Sequence, residues 1–128
     1  IGGLAPCKMC IWQRWPHGIA IALGLLVALV PLRILALAGG VVVALGAAIG
    51  FYHAGVEWGF FAGPDTCTSN PIGEMSVDDL FAQIVAAPVV RCDEIPWSLM
   101  GLSMAGWNAV LSAALALLWL RSFFLTWK

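Results

Sequence analysis

Charged residues divide the chain into long uncharged stretches, and those stretches are apolar. Arg14 and Arg33 enclose 18 residues without Asp, Glu, Lys or Arg; Arg33 and Glu57 enclose 23, and Glu94 and Arg121 enclose 26. About 20 apolar residues in a helix cross a hydrocarbon core of ~30 Å, so each stretch has room for one membrane span. The pattern predicts spans at about 15–32, 34–52 and 102–120, with a long connection over 53–98. Pro16 falls at the start of the first span, where a first helical turn tolerates proline. Gly39, Gly40, Gly46 and Gly50 dot the second span and read as sites of close helix packing.

The connection has a periodicity of its own. Val77, Leu80, Phe81, Ile84 and Val85 recur at helical spacing behind Ser76, a residue suited to an N-cap, and Pro88 ends the run. This predicts a short amphipathic helix over Ser76 to Ala87, lying in the membrane interface or on the top of the bundle. The expected fold class is an all-α membrane protein, one domain over 1–128, with a long extracytoplasmic loop.

Composition supports this reading and excludes others. The 128 residues are 62% hydrophobic and 10% charged, with mean hydropathy +0.95 and net charge −1. Soluble domains carry ~25% charged residues. A disordered chain needs low hydrophobicity, and a nucleic-acid binder needs a basic surface, so both are excluded. Trp12, Trp15, Phe51, Tyr52, Trp97, Trp119 and Trp127 stand near the span ends, where amphipathic rings favour the interface.

Three spans put residues 1–14 and 53–98 on one face, and 31–33 with the C-terminus on the other. Basic residues divide equally between the faces, whereas all seven acidic residues lie on the first. Arg33 and Arg121 directly flank spans on the second face, which places the first face outside the cytoplasm. Cys7, Cys10, Cys67 and Cys92 all fall on that first face. Four thiols beside an acidic extracytoplasmic loop point to disulfide chemistry.

Cys7-Lys8-Met9-Cys10 is a C-x-x-C motif, which serves in redox relays, zinc sites and plain staples. Lys8 and Arg14 are cations that would lower a thiolate pKa there. Zinc usually takes two close ligand pairs, and Cys67 and Cys92 are 25 positions apart. Haem attachment needs histidine after the second cysteine, and Ile11 stands there. Cys67 and Cys92 alone suit a staple contributing roughly 3–4 kcal/mol. Two potential pairs on one face can instead pass electrons by thiol–disulfide exchange, with a lipid-soluble quinone as the acceptor a bilayer offers.

Three further residues bear on that chemistry. Arg14 reads either as a snorkelling span-end arginine or as a cation stabilising a thiolate or a reduced quinone oxygen. His53 reads as an interfacial histidine, or as a donor to a quinone carbonyl or proton relay. Glu57 lies four residues on, one helical turn away if the helix continues, and otherwise reads as a solvated loop charge.

Larger motifs now carry a resemblance. Pro6-Cys7-Lys8-Met9-Cys10-Ile11-Trp12-Gln13-Arg14-Trp15 resembles the C-x-x-C segment of the DsbB family of disulfide bond formation proteins. Tyr52-His53-Ala54-Gly55-Val56-Glu57, Gly63-Pro64 before Cys67, Arg91-Cys92-Asp93 and the run Trp97 to Met104 follow in that family's order. The resemblance implies a four-helix bundle of the bacterial inner membrane. Such a protein oxidises a periplasmic thioredoxin-like partner of DsbA type and passes the electrons to quinone, ubiquinone or menaquinone. On this implication Cys67 forms the mixed disulfide with the partner, Cys92 exchanges with Cys7, and Cys10 faces the quinone. Arg14 and His53 match quinone-site residues, and no metal is implied. The family carries a transmembrane helix before its C-x-x-C, and six residues precede Cys7 here. The expectation is a chain that lacks that first helix. Rival readings are a vitamin K epoxide reductase-like redox protein, a non-catalytic membrane subunit with structural disulfides, and a zinc-bound adaptor.

Overall fold

The computed structural model describes residues 6–64, 81 and 91–125, and three helices dominate them. Helix α1 spans Lys8–Leu29 and α2 spans Arg33–Glu57. A two-stranded hairpin, β1 (Ser98–Leu99) and β2 (Leu102–Ser103), then leads directly into α3, Met104–Leu125. Cys67 and the segment expected to form the amphipathic helix lie outside the described residues, apart from Phe81.

Each boundary has a local cause. Cys7 holds extended backbone (φ −72°, ψ 166°), and its sulfur accepts the N–H of Cys10 at 3.2 Å, so a thiol caps α1. Pro31 disfavours helix at Val30, which is extended, and α1 stops at Leu29. The hairpin pairs Ser98 with Ser103 and Leu99 with Leu102. Met100 (φ 54°) and Gly101 (φ 82°) turn it, the two positive φ values that a tight two-residue hairpin turn requires. Ser103 then caps α3, its hydroxyl accepting the N–H of Gly106 at 3.1 Å.

Helix α2 lies against both α1 and α3 and forms the middle of the bundle. Small residues allow the approach. A Cβ at Gly50 would stand 3.0 Å from the backbone nitrogen of Ala109 on α3, and one at Gly46 would stand 3.0 Å from Pro16 Cβ on α1. Pro16 therefore lies mid-helix against a glycine, not in the first turn, because α1 begins at Lys8 rather than near residue 15.

The outer surface is apolar. Leu25, Leu29, Ile34, Phe51, Leu117 and Leu118 are all exposed, an area far beyond what water tolerates on a soluble monomer. Helices α2 and α3 are long and apolar enough to cross a membrane, and the protein is an integral membrane protein of helical fold. The described core gathers at one end, where Cys7, Met9, Val56 and Cys92 are buried together and Cys10 packs against them.

Candidate functional site: a dithiol at the head of the bundle

The buried end is where α1 begins, α2 finishes and α3 begins. Helix α2 continues past Tyr52 through Glu57, so His53 and Glu57 sit on its last turns rather than in a loop. At i and i+4 they share one face, and that face meets both caps. His53 Nε2 lies 3.6 Å from Cys7 Sγ, while the Ser103 hydroxyl donates a short hydrogen bond to Glu57 Oε2. Nε2 is also 3.9 Å from Glu57 Oε1, both side chains being only 4% exposed. The expectation of a solvated Glu57 fails here, because the continuing helix carries its carboxyl group under the start of α3 and Ser103 supplies a partner.

The sulfurs of Cys7 and Cys10 are 2.7 Å apart and both thiols are free. A disulfide bond is about 2.05 Å long, so closing the pair needs less than one ångström of movement. The hydrogen bond from Cys7 draws the Cys10 thiol from its ordinary value of 9.0 down to about 6. Burial and the Glu57 charge oppose that shift, and Arg14, one turn along α1, assists it. Cys7 moves the other way, raised first by its hydrogen bond to Cys10 and then by burial. The pair thus gives up its first proton easily and its second with difficulty.

Cys92 is 2% exposed, belongs to the same buried cluster and is disulfide-bonded; its partner is neither Cys7 nor Cys10. Its main chain also meets the His53 ring. The flanking Arg91 and Asp93 form an exposed two-point ion pair (2.6 and 3.0 Å), which orients their side chains but stabilises little.

Behind the thiols runs a chain of uncharged polar side chains. Asn108 Nδ2 donates to Gln13 Oε1 at 2.6 Å, and Gln13 Nε2 meets His53 Nδ1 at 2.7 Å. Asn108 Oδ1 accepts from His17 Nε2 at 2.7 Å and from the Ser112 hydroxyl at 3.4 Å. Among the described residues, no buried side-chain nitrogen or oxygen lacks a hydrogen-bond partner. Charge spacing does not mark these residues. A signal for them exists: Gln13 and His17, like Asn108 and Ser112, are polar pairs at i, i+4 within or beside apolar stretches, where polar groups require partners.

A cavity of about 230 Å³ opens at this end, bordered by Cys10, Arg14, His17, His53, Glu57 and Asn108 among others. Arg14 also borders a second, apolar groove of about 490 Å³ formed with Ile11, Trp15, Ile19 and Ala22. Of the seven residues singled out from sequence, Cys7, Cys10, Arg14, His53, Glu57 and Cys92 converge at this end, and Cys67 lies outside the described residues. Cys7, Cys10 and His53 also present three metal-ligating atoms within 4.8 Å of one another. Two sulfurs on tetrahedral zinc stand about 3.8 Å apart at Zn–S distances of about 2.3 Å. The two sulfurs stand closer than that, at 2.7 Å.

Comparison with known proteins agrees with this chemistry. The family model described as disulfide bond formation protein DsbB matches residues 1–121. A curated relative, disulfide bond formation protein B of Mannheimia succiniciproducens, is 29% identical over 120 residues, covering 90% of this chain and 67% of its own length. No solved structure matches the chain.

Proposed function

The chain belongs to the DsbB family of disulfide bond formation proteins, and from that premise we propose that it is a quinone-dependent thiol oxidase that renews the disulfide of a periplasmic DsbA-type partner. The observation that carries the proposal is a free dithiol packed in one buried cluster with a disulfide-bonded cysteine, beside a cavity edged by a cation. It acts as one domain over 1–128 in the bacterial inner membrane, with spans at about 15–32, 34–52 and 102–120 and all four cysteines on the periplasmic side.

The exchange steps balance as follows. A thiolate of the partner attacks Cys67 of a Cys67–Cys92 disulfide, forming a mixed disulfide and releasing the Cys92 thiolate. Cys92 attacks Cys7 of an oxidised Cys7–Cys10 pair, and Cys10 leaves as a thiolate. The partner's second thiol resolves the mixed disulfide and frees Cys67, which attacks Cys92 and releases Cys7. The partner has lost two electrons and two protons, and Cys7 and Cys10 hold the electrons.

The donor set fits a quinone. The thiol cavity offers Cys10 for the ring, with Arg14 for one of its oxygens and His53 on its wall, and the apolar groove beyond Arg14 suits an isoprenoid chain. When bound, quinone would accept the two electrons and two protons released as Cys7 and Cys10 re-form their bond. Cys10, with its low pKa, is the thiolate available at neutral pH, and the Arg14 guanidinium holds negative charge at the same spot.

The test uses the full-length protein, reduced and then freed of reductant anaerobically. Soluble quinone is added, the reaction is acid-quenched, and alkylatable thiols are counted. Two thiols should disappear per quinone reduced, and Cys10→Ser should abolish both changes. Thiols that stay free beside oxidised quinone would overturn the proposal and leave the disulfides as staples.

A further inference from the structure

We infer that the buried amides Gln13 and Asn108 are positioning residues that fix the tautomer of His53 so that its Nε2–H points at Cys7 Sγ. This rests on the thiol-oxidase reading and adds the device that prepares Cys7 to leave.

Hydrogen-bond polarity passes from one group to the next along this chain. An amide has a donor end and an acceptor end, so fixing one end fixes the other. Two donors, His17 Nε2–H and the Ser112 hydroxyl, converge on Asn108 Oδ1. The Asn108 amide nitrogen must then face Gln13, and it donates to Gln13 Oε1. Gln13 in turn directs its own NH₂ at His53 Nδ1, which can only accept. A neutral imidazole with an accepting Nδ1 carries its proton on Nε2.

A chain of amides could run in the opposite sense, with every donor and acceptor exchanged. His53 would then present a bare Nε2 to its surroundings. Those surroundings are Cys7 Sγ at 3.6 Å and Glu57 Oε1 at 3.9 Å, with the main chain of Cys92 also against the ring. The carboxyl oxygen is held towards the ring by the Ser103 hydroxyl on the other arm of Glu57. A lone pair facing a carboxyl oxygen and the sulfur that departs as a thiolate during exchange is repelled, whereas an N–H facing them is attracted. The near end, on α2, therefore selects the polarity, and His17 and Ser112 at the far end, on α1 and α3, can donate in agreement with it.

The consequence falls on Cys7. In the last exchange step Cys7 leaves as a thiolate, and a leaving thiol with a lower pKa leaves faster. Burial opposes that charge, and an aimed N–H offsets burial. Gln13 and Asn108 touch neither sulfur; they act through His53.

The experiment reads the tautomer directly by ¹⁵N NMR of histidine-labelled full-length protein in micelles, with resonances assigned by single substitution. His53 should show a protonated Nε2 and a bare Nδ1. Asn108→Asp is nearly isosteric, yet its ionised carboxylate has no hydrogen to give Gln13. Gln13 should turn over and present its oxygen to His53, moving the proton to Nδ1. Site-resolved alkylation of Cys7 should then slow roughly tenfold, the effect of losing one buried hydrogen bond to a charged group. Gln13→Met should release the same constraint without any charge. A bare Nε2 in the unaltered protein would overturn the inference. So would a tautomer unchanged in both variants. Thiol consumption by quinone in the same samples scores the oxidase reading separately. Its failure with the expected tautomer would sink that reading and leave the hydrogen-bond polarity standing.

Discussion

Helices α1 and α3 begin in the same way. Each is capped by a side chain that accepts the N–H three positions on, Cys7 from Cys10 and Ser103 from Gly106. Each cap also reaches one of two residues a turn apart near the end of α2, Cys7 to His53 and Ser103 to Glu57. The geometry is nearly repeated, and only the cap atom and its neighbour differ. A hydroxyl beside a carboxyl group has a proton to give and nothing to exchange, so that end is a clasp. A sulfur beside an imidazole and a second sulfur can ionise and change bonding partner, so on the proposed function the other end is the reaction centre. Chemistry has been placed at a position that already had a structural duty.

The largest effect expected from breaking this contrast comes from making the two ends alike. Cys7→Ser keeps a good N-cap, so thermal unfolding in detergent should shift by less than about 1 kcal/mol. Thiol-dependent quinone reduction should vanish, because no disulfide can form with Cys10. An unfolded Cys7→Ser protein would show that the sulfur's bonding, and not only its capping, supports the fold.

The next effect lies in pH. A Cys10 thiol at about 6 is mostly ionised at pH 7, whereas one at its ordinary 9.0 would be ionised to roughly one part in a hundred. Because the pKa is lowered, reactivity is present above it and is lost as pH falls through about 6. Alkylation of Cys10 in the reduced protein, followed against pH by mass spectrometry, should show its midpoint there. A midpoint near 9 would mean that Cys7 and Arg14 do not support the charge.

At the clasp, Ser103→Ala removes one cap and leaves Glu57 without its donor. It should destabilise by about 2 kcal/mol in a denaturation series. The smallest change expected is Ser103→Cys, which places a thiol in the quiet cap at a cost under about 1 kcal/mol. Beside a carboxyl group, that thiol should alkylate more slowly than Cys10. Equal rates would mean that the position within the cap, and not the neighbour, sets reactivity.

Charge spacing made the helices legible in the sequence, because a membrane excludes Asp, Glu, Lys and Arg more sharply than any propensity rule. It misplaced the ends. Helix α1 begins seven residues before residue 15, since a cysteine cap satisfies the first turn in the same way as serine. His53 and Glu57 remain helical because Gln13 and Ser103 satisfy them, partners 40 and 46 positions away in the chain. The C-x-x-C motif announced the dithiol, and Arg14 was visible one turn later. The amide chain was hidden because its four side chains carry no charge, and their meaning depends on α1 and α3 meeting around α2.

The bond between Ser103 and Glu57 has one further consequence, for mechanics. It joins the residue at which α2 ends to the residue that caps α3, so the two helix ends are tied directly to each other. A force that would splay α2 from α3 at this end loads that polar contact, and the lipid-facing parts of the two helices are spared leverage.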